Sequence, residues 1–188
     1  MQMMGLDGGF TDPPRQSARA FRAALDAMAR PGVIRSVEGA APPAPASPAA
    51  GALLLTLCDD TTPLCLAPSH DTAAMRDWIT FHTAAPLVGA SEAMFALGAW
   101  EALVPLSRFS PGTPEYPDRS ATLIVEVQRV ENHGAPLHGP GIAGQVKLNL
   151  PDPAAFAANH AAFPLGLDFY FTAGDRLAGL PRSTSVEV

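Results

Sequence analysis

Short strand-like runs alternate with helix-like segments along this chain, and their order is the strongest constraint on its fold. An amphipathic segment follows Asp12, a run rich in β-branched residues opens the stretch 121–130, and polar and apolar residues alternate over 145–150. Residues 167–172 and 177–180 form two further strand-like runs around a glycine-containing turn, which is typical of a hairpin. Because helices and strands of one domain bury their apolar sides against each other, this order favours a layered α/β fold.

A proline-rich stretch at residues 41–50 predicts a surface loop, because proline lacks the backbone N–H and fixes φ. The stretch does not predict a domain boundary, since residues 1–40 are too few to bury a hydrophobic core of their own. The full length of 188 residues is close to the usual size of one domain. We therefore expect residues 1–188 to form a single domain in which the loop joins two elements.

Composition argues against several classes of function. The formal net charge of −6 opposes nonspecific nucleic-acid binding, which depends on clustered Lys and Arg. The longest apolar run, at residues 52–57, is far shorter than the roughly 20 residues that cross a bilayer, so no membrane segment is expected. Residues 1–7 contain neither a basic region nor a long apolar region of the kind that directs secretion, and we expect a cytoplasmic protein. Cys58 and Cys65 have apolar neighbours and are predicted to be buried free thiols, with a disulfide or a reactive thiol as the alternative.

The segment after Asp12 predicts an amphipathic helix. Asp12 can cap it, Pro13 and Pro14 suit its first turn, and Pro31 followed by Gly32 ends it. Its apolar stripe consists of Ala18, Phe21, Leu25 and Met28. A separate face carries Arg15, Arg19, Arg22 and Arg30 together with Asp26. This basic face is either a solvated helix surface or a docking surface for an acidic partner or an anionic ligand.

Shorter patterns predict the remaining elements. The apolar run 51–58 fits a buried helix or a buried strand, and a helix is preferred. Asp71 or Thr72 can cap a helix whose apolar face holds Met75, Trp78, Ile79 and His82. Further strands are expected at 33–37, 64–66 and 93–97, and a further helix from Asp152 to near Pro164.

Residues 139–144 match the spacing G-x-G-x-x-G of dinucleotide-binding loops, but their context does not. A helix follows such a loop, whereas residues 145–150 alternate like a strand, and Pro140 removes an N–H that would contact phosphate. A tight turn is therefore the better interpretation. Lys147, the chain's only lysine, lies on the polar side of this predicted strand, so we expect it to be exposed rather than to form a Schiff base with pyridoxal phosphate.

No pattern predicts a metal or a cofactor. His133 and His138 flank a loop, but neither C-x-x-C nor H-E-x-x-H accompanies them, and solvated histidines are the expected outcome. His82 is predicted to be a hydrogen-bonded core histidine, while His70 and His160 follow no pattern. An iron–sulfur cluster held by three or four thiolates is excluded within one chain, because the chain has two cysteines.

One polar group near the C-terminus is a candidate anion-binding site. Arg182 stands beside Ser183 and Thr184, and a guanidinium with two hydroxyls can form charge-assisted hydrogen bonds to phosphate or phosphonate. Gly139 and Gly141 are candidates for the same pocket. The alternative is a strand end with ordinary polar exposure. No catalytic residue is identified.

Several stretches of the chain resemble one bacterial family. They are F-R-A-A-L-D-A-M-A-R-P-G at residues 21–32, L-H-G-P-G-I at 137–142, F-P-L-G-L-D at 163–168, G-D-R-L at 174–177 and L-P-R-S-T at 180–184. Residues 53–57, 76–83 and 85–88 also match in order and position. Together they resemble PhnH, a core subunit of the bacterial carbon–phosphorus lyase system. The resemblance runs from about residue 21 to the C-terminus, while the loop from residue 41 and residues 106–119 look individual to this chain.

The resemblance implies a three-layer α/β/α sandwich with a mixed sheet, similar to the large domain of pyridoxal-phosphate-dependent transferases but without the cofactor. It also implies a complex with PhnG, PhnI and PhnJ, and a homodimer when the subunit is isolated. In that system, methylphosphonate displaces adenine from ATP to give ribose 1-methylphosphonate 5-triphosphate. A radical step on an iron–sulfur subunit later breaks the C–P bond.

From this resemblance we expect a subunit that supports the transferase reaction through assembly or by shaping a partner's active site, with no complete active site on this chain alone. One alternative gives the chain its own phosphonate or nucleotide pocket at Gly139, Gly141 and residues 182–184. Another is a noncatalytic scaffold unrelated to phosphonates.

Overall fold

The computed structural model describes residues 7–188, so the expectation drawn from residues 1–7 lies almost wholly outside the described part. The helices are α1 (Pro13–Ala29), α2 (Pro48–Leu57), α3 (Ala73–His82), α4 (Trp100–Leu103) and α5 (Pro153–Ala161). The strands are β1 (Arg35–Ser36), β2 (Leu64–Leu66), β3 (Phe95–Ala99), β4 (Thr122–Glu126), β5 (Ala135–His138), β6 (Val146–Leu148), β7 (Asp168–Ala173), β8 (Arg176–Leu180) and β9 (Ser185–Val186). Short 3₁₀ turns lie at Ala90–Glu92, Leu106–Arg108 and Pro117–Arg119.

The main sheet has six strands in the order β1-β8-β7-β4-β3-β2. Strands β2, β3, β4 and β7 are parallel to one another. At one edge β8 pairs antiparallel with β7, and β1 pairs antiparallel with β8. Ile124 in the centre of β4 pairs with Leu97 on one side and Tyr170 on the other. A second, antiparallel sheet has the order β6-β5-β9. The predicted α/β class with a mixed sheet is confirmed.

Both faces of the main sheet are covered. On one face, Ile124 belongs to a core shared with α1, α2 and α3, which includes the fully buried Leu53 and Trp78. On the other face, Leu123 and Val125 belong to a core shared with α4, α5 and the second sheet. The alternation of Leu123, Ile124 and Val125 between two cores is the period-2 geometry of a strand buried on both sides.

Helix α1 packs against the sheet through small residues. Its buried positions are Ala20, Ala24 and Ala27, whereas Phe21 is 50% exposed and Leu25 is 57% exposed. The reason is the short distance between α1 and β8: a Cβ added to Gly179 would lie 2.7 Å from the Ala27 backbone. A large side chain does not fit such an interface, so the predicted apolar stripe through Phe21 and Leu25 was wrong.

Helix α2 confirms the preference for a helix in the run 51–58. It starts earlier than expected, with the Ser47 hydroxyl accepting the Ala50 N–H at 3.2 Å and Pro48 in the first turn. Ala49 and Ala50 are fully buried. The surface loop predicted over 41–50 therefore ends at Ser47, because proline is compatible with a helix start although not with a helix interior.

Other local predictions agree with the structure. Thr72 caps α3 by accepting the Met75 N–H, and strands β7 and β8 form the expected hairpin. Cys58 and Cys65 are free and buried, and burial raises the pKa of the Cys58 thiol to about 12. None of the helices within residues 7–188 has both the length and the apolar character that crossing a bilayer requires.

Candidate functional site

The predicted anion-binding Arg182 lies just after β8, and its guanidinium donates to groups within the fold. Nε donates to the Asp168 carboxylate at 3.1 Å, Nη1 donates to the Pro117 carbonyl, and Nη2 donates to Asp168 and to the Ser120 hydroxyl. The Arg182 backbone N–H also donates to Asp168, at 2.8 Å. With an Arg182 side chain only 13% exposed, these bonds connect the end of β8 to the start of β7 and to the segment before β4. A phosphate role for Arg182 stays a prediction.

The structure brings Gly139 close to Ser183 and Thr184. A Cβ added to Gly139 would lie 3.0 Å from the Ser183 carbonyl oxygen, and Gly139 has a φ of 136° that other residues rarely adopt. Gly141 lies elsewhere: an added Cβ there would lie 1.9 Å from the Ala29 carbonyl oxygen at the end of α1. The turn after β5 leads into strand β6 rather than into a helix, as the alternation over 145–150 predicted. Both glycines are required by close backbone packing, and their anion-binding role stays a prediction.

The predicted basic face of α1 is exposed but partly paired. Arg15 lies 3.7 Å from Asp12, and Arg30 and Arg35 both pair with Asp26, which lowers the pKa of that carboxyl group. Two more arginines, Arg19 and Arg22, are exposed next to the exposed apolar pair Phe21 and Leu25. The outer face of α1 is therefore both basic and apolar, a combination that the sequence pattern did not predict.

The histidines singled out from the sequence lie in separate environments. His133 pairs with Glu131 at 2.8 Å and His138 with Glu187 at 2.7 Å. His82 is half-buried against Trp78, and within the described residues its Nε2 has no hydrogen-bond partner, so the predicted hydrogen bond is not found. Lys147 is exposed on β6, as expected. Across residues 7–188, no group of three or more His, Cys, Asp or Glu side chains is placed to hold a metal ion.

A crevice of about 800 Å³ lies at the carboxyl ends of the parallel strands β2, β3 and β4. In open α/β sheets this edge is the usual place for a ligand. The crevice is lined in part by His70 after β2, by Trp100 and Glu101 directly after β3, and by Glu126 at the end of β4. We call this the carboxyl-edge crevice.

Two ionisable groups line the carboxyl-edge crevice, the half-buried Glu126 and the buried His70. Glu126 accepts the Ser47 N–H at 2.8 Å, and burial raises the pKa of its carboxyl group. His70 is only 3% exposed, and burial lowers its pKa. Its Nδ1 lies 3.0 Å from the Ser69 hydroxyl oxygen, while Nε2 has no hydrogen-bond partner within the described part of the chain. Perturbed titratable groups in a cleft are typical of binding and catalytic sites.

Sequence reasoning missed both residues. His70 followed no pattern, and Glu126 lay inside the stretch 121–130 that was predicted as one strand. The available signal was the position of each residue relative to a strand end: His70 follows β2 by four residues, and Glu126 is the last residue of β4. Finding that signal requires the strand ends, which local patterns place least accurately.

The fold and this crevice define a mixed-sheet α/β domain with a candidate ligand site at the carboxyl edge of its parallel strands. A model of the family described as bacterial phosphonate metabolism protein (PhnH) matches residues 8–187, and the chain belongs to that family. This confirms the resemblance seen in the sequence.

Two relatives support the assignment. The chain is 44% identical over 190 residues to the alpha-D-ribose 1-methylphosphonate 5-triphosphate synthase subunit PhnH of Rhizobium meliloti (strain 1021). That alignment covers 96% of this chain and 94% of the relative. It is 30% identical over 188 residues to the putative C-P lyase subunit protein HtxG of Stutzerimonas stutzeri. That alignment covers 93% of this chain and 87% of the relative. In each comparison the similarity therefore extends over most of this chain and most of the relative.

Proposed function

We infer that this protein is a subunit of a carbon–phosphorus lyase complex in organophosphonate catabolism. It supports the formation of ribose 1-methylphosphonate 5-triphosphate from ATP and methylphosphonate, with release of adenine. The observation that carries this proposal is the 44% identity, over 96% of the chain, to a subunit named for that synthase. The family match over residues 8–187 and the second relative, named as a C-P lyase subunit, agree with it.

The proposed role is to assemble the complex or to shape a partner's active site. Arg182 is the best sequence candidate for an anion-binding side chain. Its guanidinium donates four hydrogen bonds, to Asp168, Ser120 and the Pro117 carbonyl. A guanidinium has five N–H donors, so little capacity is left for a phosphonate. This supports a subunit that has no complete active site for the transfer reaction on its own chain.

The proposed partners are PhnG, PhnI and PhnJ, and the isolated chain is proposed to be a cytoplasmic homodimer. Its fold is proposed to resemble the large domain of pyridoxal-phosphate-dependent transferases without the cofactor, as a three-layer α/β/α sandwich. Helical layers on one face and a helix-plus-sheet layer on the other support the layered part of that proposal.

The outer face of α1 is the proposed docking surface for an acidic partner subunit. Phe21 and Leu25 supply exposed apolar area, which favours association when it is removed from water. The flanking guanidinium groups, which supply the complementary charge, belong to Arg15, Arg19, Arg22 and Arg30. Because the chain as a whole carries a net charge of −6, this basic surface distinguishes one face from the rest.

Adenine release tests the proposed function. ATP and methylphosphonate are incubated with PhnG, PhnI and PhnJ, with and without this chain, and free adenine is measured. Release that depends on this chain is the expected result. Equal release in both mixtures would contradict the proposal and favour a scaffold unrelated to this step.

Co-purification tests the docking surface. The double charge reversal Arg19→Glu with Arg22→Glu should reduce recovery of the other three subunits, and the remaining association should depend less on salt. The matched control is Lys147→Glu, which reverses one exposed charge on β6. Recovery that is unchanged in the double variant, or lost equally in the control, would contradict docking through α1.

A further inference from the structure

The apolar residues on the outer side of α1 follow a regular spacing along the helix. They are separated by three, four and three residues, at Ala18, Phe21, Leu25 and Met28. This is the a and d spacing of a coiled-coil heptad, which places the four side chains in one line along a helix. We call this line the α1 seam. Helix α1 has 17 residues, so it is long enough to present the seam over two heptads.

The fold of this chain leaves the α1 seam largely unused. The buried residues of α1 are alanines on its sheet-facing side, whereas Phe21 is 50% exposed and Leu25 is 57% exposed. Two large side chains four residues apart form a ridge that fits into the groove on the surface of a second helix. A second helix can also repeat its own apolar side chains with the period of the seam. The spacing therefore favours a helical occupant.

Arginines lie beside the α1 seam. Arg15 and Arg22 are seven residues apart, which is one heptad, and both occupy the position that follows a d residue. In coiled coils this position forms ion pairs with the partner helix and determines which partner is accepted. Arg22 is exposed, and the Arg15 side chain is 81% exposed at 3.7 Å from Asp12. Two exposed guanidinium groups beside an apolar seam favour carboxylates on the occupant.

A second copy of α1 does not supply those carboxylates. If two copies of α1 packed antiparallel along their seams, their arginines would face each other and repel. In a parallel arrangement the arginines would instead face the heptad position that Ser17 and Ala24 occupy, and neither of these carries a negative charge. The charge pattern therefore favours a different, acidic helix over a second copy of this chain.

We infer that the α1 seam binds an acidic amphipathic helix of a partner protein. Its apolar side chains would pack on Phe21 and Leu25, and its glutamate or aspartate side chains would pair with Arg15 and Arg22. Burial of the apolar side chains stabilises the contact, while the ion pairs select the partner. The presence of such a partner rests on the proposed function, whereas the helical form and the acidic charge of the occupant follow from α1 itself.

Fluorescence anisotropy of labelled synthetic peptides, titrated with the full-length chain, tests this inference. The Glu peptide has three heptads with Leu at a and d and Glu at e and g, and repulsion between its glutamates opposes pairing with itself. It should bind saturably with a dissociation constant below about 0.1 mM. Two controls should each bind at least about tenfold more weakly. One is a Lys peptide with Lys in place of every Glu, and the other is a reordered peptide that keeps the composition but breaks the heptad.

Charge reversal locates the contact. Arg15→Glu with Arg22→Glu should reverse the preference, so that the Lys peptide binds at least about tenfold more tightly than the Glu peptide. Because this variant gains binding to the Lys peptide, loss of folding cannot produce the expected result. Arg19→Glu is the matched control for Arg22→Glu: it makes the same charge change on the same helix, at a heptad position turned away from the seam. It should weaken binding of the Glu peptide less than Arg22→Glu does.

Truncation of the exposed apolar side chains tests the seam itself. Phe21→Ala with Leu25→Ala should weaken binding of the Glu peptide at least about tenfold. The control is Phe81→Ala with Met94→Ala, which removes side chains that are 61% and 51% exposed outside α1 and should leave binding unchanged. Urea unfolding checks that both double variants fold, as expected for substitutions of exposed side chains.

Several results would overturn the inference. They are the absence of saturable binding of the Glu peptide, equally tight binding of the Lys peptide or the reordered peptide, and an unchanged preference after charge reversal. Light scattering tests a second copy as the occupant: self-association that is lost in the Phe21→Ala, Leu25→Ala variant would assign the seam to that copy and would also overturn the inference.

The adenine-release assay separates this failure from failure of the proposed function, because peptide binding requires neither the other subunits nor the reaction. Adenine release that depends on a chain unable to bind the Glu peptide would reject the α1 seam inference alone. Binding of the Glu peptide by a chain that adenine release does not require would reject the proposed function alone.

Discussion

Two polar clusters in this molecule use their hydrogen-bonding capacity in opposite ways. At the end of β8, the Arg182 guanidinium donates to Asp168, Ser120 and a backbone carbonyl, and its side chain is 13% exposed. In the carboxyl-edge crevice, buried His70 has an Nε2 without a partner among the described residues, and half-buried Glu126 has a raised pKa.

The difference separates a polar group whose partners all lie within the fold from one whose hydrogen-bonding capacity the described residues leave partly unused. A charged side chain next to hydroxyls in the sequence is an attractive candidate for binding phosphate. Its partners in three dimensions decide whether any capacity remains, and at Arg182 most of it is used. His70 and Glu126 have no such sequence signature, yet both line the carboxyl-edge crevice, and the Nε2 of His70 has no partner among the described residues.

The largest expected effect is the loss of the Arg182 cluster. Arg182→Ala should lower the free energy of unfolding by about 3 kcal/mol, because it leaves the largely buried Asp168 carboxylate without its partner. Urea unfolding measures this change. Arg129→Ala removes an arginine that is 77% exposed and 3.8 Å from its carboxylate, so it should cost less than about 1 kcal/mol. Equal, small losses in both variants would mean that Arg182 is free to serve a ligand.

The next largest expected effect is an increase in the free energy of unfolding, at a residue two positions after Arg182. The Thr184 hydroxyl is buried with no partner within residues 7–188, and the residue is 2% exposed. Thr184→Val replaces that hydroxyl with a methyl group of similar size and should raise the free energy of unfolding by about 1 kcal/mol. Ser183→Ala, at the neighbouring half-buried position, should change it by less than about 0.5 kcal/mol. A loss of stability in Thr184→Val would show that the hydroxyl has a partner after all.

Smaller still is the pH dependence contributed by Glu126. Its pKa in the folded protein is raised above the ordinary value of 4.5, so the folded state binds the proton more tightly than the unfolded state does. The stability that this contributes is present below pH 4.5 and is lost as pH rises through the raised pKa. Relative to Glu126→Gln, wild type should therefore lose stability from acidic to neutral pH in urea unfolding. Parallel profiles for the two proteins would contradict the raised pKa of Glu126.

His70 should give a dependence of opposite sign. Burial lowers its pKa below the ordinary value of 6.5, so the unfolded state binds the proton more tightly. The stability it contributes is present above pH 6.5 and is lost as pH falls through the lowered pKa. Against His70→Gln, wild type should lose stability on acidification, which thermal unfolding at several pH values can measure. A stability difference between the two proteins that is constant with pH would indicate that His70 is solvated in the folded protein rather than buried.

Local patterns predicted most element types and fewer boundaries. Some features depend only on neighbouring residues, so they could be found without the fold. They are the cap at Thr72, the Pro-containing start of α1 and the hairpin of β7 and β8. Strands β5 and β9 were not predicted. Both are short, and β9 pairs with a strand far away in the chain, as in the match of Leu137 with Val186. A strand of that kind is defined by its partner rather than by its own residues.

The sequence alone determined the α/β class, the helix-forming and hairpin segments, the family and the acidic net charge. Each of these depends on residue type and on spacing along the chain. Only the tertiary structure decided that α1 buries its alanines and exposes Phe21 and Leu25, because the glycine at position 179 brings β8 too close for larger side chains. It also decided that Arg182 is bonded within the fold while His70 and Glu126 share a crevice. Hydrogen-bond partners and burial depend on distances between segments that are remote in sequence, and no local pattern contains those distances.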